Sequence, residues 1–298
     1  MSTPRFGHVL TAMVTPFAAD GSLDLTAAAE LARFLTTNGS DGLVVAGSTG
    51  EGTALSDDEK CQLIEAVAHA VSVPVLAGTT SSNTEQSVTL TKRAKALGAA
   101  GILATTPAYV RPSQRGIVMH LGAVANATDL PVMLYDIPAR TGRKIAPATT
   151  IELAHSYANI VALKDASAEM VPAATVAASL GAGFDLYSGD DGLTLPFMAL
   201  GAVGVVSVCA HWAGPEMSAM VRAAYAGDWG AARAINARLF ASYAFESTET
   251  YPNPVPSKAA MRTLGLAVGQ CRLPLGDADE FIDARADVVV RELLAARE

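Results

Sequence analysis

Ile160-Val161-Ala162-Leu163-Lys164-Asp165 is a short, nearly continuous apolar run broken by one lysine. Such a run, rich in aliphatic residues, is the pattern of a strand buried on both faces. It extends to residue 167, and seven more runs of this kind occupy 9–17, 42–49, 73–79, 101–106, 131–138, 184–190 and 202–208. Ala-rich segments of helical period separate them, with starts expected near Asp24, Ser56, Thr84, Ser113, Pro147, Glu169, Gly192 and Pro215. Ser56-Asp57-Asp58-Glu59 is a capping-box pattern, and Asp24 stands before an Ala-rich run. Eight strand–helix units with apolar strands imply a parallel sheet closed into a (β/α)8 TIM barrel, with an open doubly wound sheet as the alternative. After residue 208 the strands stop. Helical stretches near 228–245, 256–266 and 277–296 then form a C-terminal three-helix extension. Residues 1–226 thus read as the barrel with its active site, and 227–298 as helices packed on it.

The composition narrows the function classes. Half of the 298 residues are hydrophobic, only 6% are aromatic, and the mean hydropathy is +0.30. Ala, Val, Leu and Gly carry that apolar content, which suits close packing of helices on a sheet. A net charge of -8, with no basic tract, argues against nucleic acid and anionic membranes as partners. No apolar run is long enough to span a bilayer, and the first ten residues lack the pattern of a secretion signal. Cys61, Cys209 and Cys271 are odd in number and far apart, so a disulfide framework is not expected and a reducing cytoplasm is. The five histidines lack metal-ligand spacing, and neither a P-loop nor a dinucleotide fingerprint is present. No metal and no cofactor are expected.

Six lysines occur, and five of them (Lys60, Lys92, Lys95, Lys144 and Lys258) lie among polar neighbours where a solvated charge is expected. Lys164 differs, because an ammonium is costly to desolvate inside a buried strand. Burial favours the neutral amine, the form that attacks a carbonyl. Strand alternation puts Ala162 and Lys164 on one face and Leu163 and Asp165 on the other. A lysine snorkelling to solvent is the bland alternative, but the C-terminal ends of barrel strands are where active sites are built. The preceding strand ends Leu134-Tyr135-Asp136-Ile137-Pro138, placing Tyr135 where its phenol could reach the lysine's reacting centre and move a proton, or simply pack in the core. The second strand ends Ala46-Gly47-Ser48-Thr49-Gly50-Glu51-Gly52, a turn of glycines and hydroxyls that could hold a carboxylate or be an ordinary strand–helix connection. Pro252-Asn253-Pro254-Val255-Pro256 reads as a link between two terminal helices.

Together these segments resemble the dihydrodipicolinate synthase/N-acetylneuraminate lyase family. The resemblance is carried by Gly47-Ser48-Thr49-Gly50-Glu51, Thr106-Pro107-Ala108-Tyr109, Tyr135-Asp136-Ile137-Pro138-Ala139-Arg140-Thr141-Gly142, Val161-Ala162-Leu163-Lys164-Asp165-Ala166, Ser188-Gly189-Asp190-Asp191 and Gly204-Val205-Val206-Ser207-Val208. It implies a Schiff-base aldolase in which Lys164 forms an imine with pyruvate. Tyr135, Ser48 and Tyr109 would form a proton relay, Tyr109 reaching into a neighbouring subunit of a homodimer or homotetramer. Thr49 and its backbone would hold the pyruvate carboxylate, and Gly189 and Val206 would line the pocket. Ser48 departs from the threonine usual in the synthases, losing the methyl that fixes the rotamer. Arg140 points to L-aspartate 4-semialdehyde as the second substrate, because the lyases acting on sugar acids usually lack that arginine. The alternatives are cleavage of a 2-keto-3-deoxy or sialic-type acid, and a non-catalytic pyruvate sensor. Members regulated by lysine carry polar and aromatic groups at an interface site where this chain has Gly52, Asp57, Lys60, Ser82, Gln86 and Ala108, so weak feedback by lysine or none is expected.

Overall fold

The computed structural model describes residues 4–297, so the first three of the ten residues read for a secretion signal lie outside it. Strands β1 (Val9–Ala12), β2 (Gly42–Val45), β3 (Val75–Gly78), β4 (Gly101–Thr105), β5 (Val132–Asp136), β6 (Ile160–Asp165), β7 (Asp185–Ser188) and β8 (Gly204–Ser207) pair in chain order. Every pairing is parallel, and β8 closes on β1. The expected eight-stranded TIM barrel is the observed fold.

Helices α1 (Leu25–Thr37), α2 (Asp57–Ala70), α3 (Thr84–Ala96) and α4 (Gln114–Asn126) follow β1 to β4. Their starts are written locally. Asp24 accepts from the Ala27 N–H, Ser56 and Glu59 form the reciprocal capping box, and Asn83 and Ser113 cap the next two. The β5–β6 connection holds α5 (Pro138–Thr141) and α6 (Pro147–Ser156), and α7 (Met170–Leu180), α8 (Thr194–Ala199) and α9 (Ala210–Tyr225) complete the ring. The one-turn α5 falls inside a segment read as strand end and loop. Pro138 opens it with a preset φ, and Gly142 ends it at φ 71°, a left-handed conformation natural to glycine. The helix expected to begin at Pro215 begins five residues earlier, with non-helical geometry at Ala213, so the proline marks only its second segment.

The apolar side chains form two layers. Leu10, Val44, Leu76, Leu103, Met133 and Ala162 fill the barrel interior, while Leu43, Val45, Leu134 and Leu163 face the surrounding helices. Phe6 joins the inner layer, and Tyr187 donates from its hydroxyl to the Gly7 carbonyl at 2.9 Å. The β5–β6 ladder contains a bulge: Val132 pairs with Ile160, but Met133 pairs with Ala162, leaving Val161 as the extra residue. Val161 and Ala162 therefore both lie against the inner layer.

Beyond α9 come α10 (Trp229–Glu246), α11 (Val255–Thr263) and α12 (Glu280–Ala295), three C-terminal helices as expected. They reach back over the β1 connection. The apolar run there was read as strand to residue 17, but the ladder ends at Ala12. Phe17 instead donates its N–H to the Val268 carbonyl at 3.2 Å, so its burial comes from the extension.

Candidate active site

β5 and β6 bring the first two side chains together. Tyr135 and Lys164 are direct register partners across the ladder, and each is 4% exposed. The Lys164 Nζ stands 4.2 Å from the centre of the Tyr135 ring. Burial drives the lysine towards its neutral form and lowers its pKa to about 8; the Asp191 charge opposes this and the Arg140 charge assists it. Burial pushes the Tyr135 phenol up to about 12, partly offset by the Arg140 charge and the Ser48 hydroxyl. Near neutral pH the phenol thus keeps its proton while a fraction of the lysine has lost one. Asp165 faces the outer layer and accepts from the Ser167 N–H at 2.8 Å, as the alternation required.

The turn after β2 is tightly wound. Ala46 and Glu51 adopt φ of 54° and 52°, left-handed values that non-glycine residues hold only where surroundings enforce them. A Cβ on Gly52 or Gly78 would fall 2.2 or 2.5 Å from the Ala46 carbonyl oxygen, which explains both glycines by close backbone approach. Ser48 is half-buried, and Thr49 is buried with its hydroxyl accepting from Asn253 Nδ2 at 2.8 Å. Gly47, Ser48, Thr80, Thr105 and Tyr135 help line a cleft of about 90 Å³. That space suits a small acid rather than the cofactor-sized ligands of roughly 300–1,000 Å³ sites.

Arg140 sits on α5 just beyond Tyr135, with Nη2 donating to the Asn253 carbonyl at 3.0 Å. Val206 lies in the inner layer on β8. Gly189 follows β7 and donates its N–H to the Asp165 carbonyl at 2.7 Å; a Cβ there would come within 2.8 Å of the Ala166 side chain. Lys164, Tyr135, Ser48, Thr49, Arg140, Gly189 and Val206 all lie at the ends of β2, β5, β6, β7 and β8 or in the connections that follow them, on the side where TIM barrels place chemistry. Tyr109, in the connection after β4, lies on the same side but differs in being 93% exposed, with φ 71°.

Three features were not read from the sequence. Lys258, expected to be a solvated charge, is 0% exposed; its Nζ lies 2.7 Å from Glu51 and 4.2 Å from the Phe17 ring centre. Burial holds its pKa below the ordinary value, against the pull of Glu51. Nothing near Lys258 in sequence signals this, because the acid lies in the β2 turn. Asn253 was read as part of a linker, yet it touches both Thr49 and Arg140. Asp191 is the third: its Oδ2 accepts from the Val208 and Cys209 N–H groups at 2.7 and 3.0 Å, anchoring the start of α9.

Among the described residues, Asp191, Cys209 and Glu246 alone bring metal-type ligand atoms together, within 4.8 Å of one another. Burial raises Glu246 and Cys209 well above their ordinary values, and the facing Asp191 carboxylate adds to both.

A closed parallel barrel with polar groups converging at the strand C-termini defines a protein of the TIM-barrel enzyme class. Within that class, the chain belongs to the dihydrodipicolinate synthetase family, whose model matches residues 5–292. It is 49% identical over 273 residues to a 4-hydroxy-tetrahydrodipicolinate synthase of Moorella thermoacetica, covering 91% of this chain and 92% of that one. Among solved structures, a dihydrodipicolinate synthase of Bacillus anthracis is similar with a TM-score of 0.92 and 40% identity, over 96% of this chain and 98% of that chain. A dihydrodipicolinate synthase of Cyanidioschyzon merolae with lysine bound is similar at 0.93 and 41% identity, over 97% and 98%.

Proposed function

We propose that this chain is a lyase that condenses pyruvate with L-aspartate 4-semialdehyde through an imine on Lys164, a step of lysine and diaminopimelate biosynthesis. The observation that carries the reading is the desolvated Lys164 amine paired in register with the protonated Tyr135 phenol, in a chain of this family. The amine adds to the C2 carbonyl of pyruvate and water leaves as the imine forms. Loss of a C3 proton gives the enamine, which attacks the aldehyde carbon and makes the new C–C bond. Tyr135 moves protons in these steps with Ser48 and with Tyr109, supplied by a neighbouring subunit. The 93% exposure of Tyr109 within one chain fits such an exchange between copies, as a homodimer or homotetramer. Thr49 binds the pyruvate carboxylate, Gly189 and Val206 shape the wall beside the imine, and Arg140 binds the carboxylate of the semialdehyde as a two-pronged donor.

Among the described residues, no helix is long and apolar enough to cross a membrane. The reading places the enzyme in the cytoplasm, acting without metal or cofactor. The test is to incubate the protein with pyruvate and borohydride and map the peptides. The reduced pyruvyl adduct should sit on Lys164, with inactivation in proportion. Label on another lysine, or none, would refute the reading. Turnover with the semialdehyde against a panel of sugar acids then tests the aldehyde.

A further inference from the structure

We infer that Asn253 is a positioning residue that turns the Thr49 hydroxyl proton towards the substrate carboxylate and anchors Arg140 beside it. The inference rests on the proposed pyruvate chemistry. Asn253 is 6% exposed and all its polar groups are engaged. Its Nδ2 donates to Thr49 Oγ1 at 2.8 Å, and its Oδ1 accepts from the Ser257 hydroxyl at 3.0 Å. Its carbonyl accepts from Arg140 Nη2 at 3.0 Å, and its N–H donates to Ser247 Oγ at 3.2 Å. One residue of the C-terminal extension thus holds the two side chains assigned to the two substrate carboxylates.

The chemistry follows from the inventory of a hydroxyl: one proton to give and two lone pairs to receive with. Asn253 occupies a lone pair of Thr49 and leaves its proton free. A threonine whose proton was already committed to a neighbour could offer a carboxylate only its oxygen, which repels. The direction of this single hydrogen bond therefore decides whether Thr49 attracts the substrate. Lys258 and the Arg272 N–H hold the same turn through Glu51, at 2.7 and 2.8 Å, so the extension fixes the turn's backbone independently of Asn253.

Asn253→Asp tests the idea. An aspartate of the same shape can only accept, so it takes the Thr49 proton and adds a negative charge behind it. The KM for pyruvate should rise about 10–100-fold, the worth of one hydrogen bond to a charged group. Arg140 is held by the backbone carbonyl, which the substitution leaves in place, so the KM for the aldehyde should change less than about threefold. A merely structural role would move both KM values, kcat and the melting temperature together. Asn253→Ala, which removes the donor without adding charge, should give a smaller rise in the same constant and serves if the aspartate variant folds poorly. In a Thr49→Val background, Asn253→Asp should raise the KM for pyruvate far less, through its added charge alone. An unchanged pyruvate KM in Asn253→Asp, or an equal rise with and without the Thr49 hydroxyl, would overturn the inference while leaving Lys164 labelling intact. Failure of pyruvate to label Lys164 in the unaltered enzyme would take down both readings.

Discussion

Raising the pH from 7 to 9 should speed imine formation at Lys164 about tenfold, and a further rise should add little. The amine titrates at about 8, so roughly one-tenth of it is neutral at pH 7 and nine-tenths at pH 9. A lysine with the ordinary value of 10.5 would be neutral in only about one molecule in 3,000 at pH 7. Its rate would climb about a hundredfold over the same two units and continue upward. The sign follows from the cause: burial destabilises the ammonium, so the reactive form gains as pH rises through 8. The same displacement means that the unfolded chain binds the proton more tightly between pH 8 and 10.5, so folding gains as pH rises through that window. At neutral pH the buried amine costs the fold roughly 3 kcal/mol. The assay mixes enzyme with pyruvate at each pH, ages the mixture for milliseconds, and quenches into borohydride at one fixed alkaline pH. Adduct is then counted by intact mass, so only the first step senses the variable. A hundredfold rise with no plateau by pH 10 would show that the lysine is not desolvated as described.

Other substitutions should separate the roles of the site. Tyr135→Phe should lower kcat by roughly 10²–10⁴-fold, the usual size of a general acid–base contribution, and an effect below threefold would remove the phenol from the proton path. Arg140→Ala should lower kcat/KM for the semialdehyde by about 10–100-fold while Lys164 still labels with pyruvate; unchanged kcat/KM would leave the choice of aldehyde unsupported. Free lysine at sub-millimolar concentration should inhibit weakly or not at all, because little is left at this site to bind it differentially. Lys60 already faces Asp57 at 3.5 Å, Gln86 donates to Asp57 at 2.9 Å, and Ser81 donates to Gln86 at 2.6 Å. Initial rates against lysine decide this, with clear inhibition contradicting it. Lys258→Met should destabilise the protein by about 3–5 kcal/mol by stranding the buried Glu51 charge, and adding Glu51→Gln should restore much of the loss. Denaturant midpoints measure both, and a silent Lys258→Met would show that the pair is not buried as described.

The barrel was legible because each of its eight strands is a compact apolar run between helix-period segments, and the caps at Asp24, Ser56 and Ser113 are written within four residues. The ends were less so. Residues 13–17 are as apolar as β1, but hydrophobicity reports burial rather than the partner that causes it, and Phe17 is buried by the extension. Lys164 stood out because a charge in an apolar strand is a local anomaly, and Tyr135 only through its matching late position on the preceding strand. Lys258 and Asn253 present no such anomaly among their neighbours. Asn253 meets Thr49 across 204 positions of chain, and the acid that holds Lys258 lies in the same distant turn. Such pairings belong to the fold, and a reading confined to local pattern sees only one polar residue just before a helix and another in its first turn.

The bulge at Val161 can be treated as a matter of parity. From the first ladder pair to the last catalytic candidates, β5 takes three steps, Val132 to Tyr135, while β6 takes four, Ile160 to Lys164. In an unbroken strand an odd and an even count leave two side chains on opposite faces. Val132 and Ile160 both start in the outer layer. Without the extra residue absorbed at Val161, Tyr135 would still turn inward, but Lys164 would point into the helices and Asp165 would occupy the barrel. The strand would look the same in composition and hydrophobicity, and its charge at the reacting position would be reversed. A change of one residue in spacing between Ala162 and Lys164 is therefore more dangerous to this site than most substitutions, because it can invert the face without disturbing the fold.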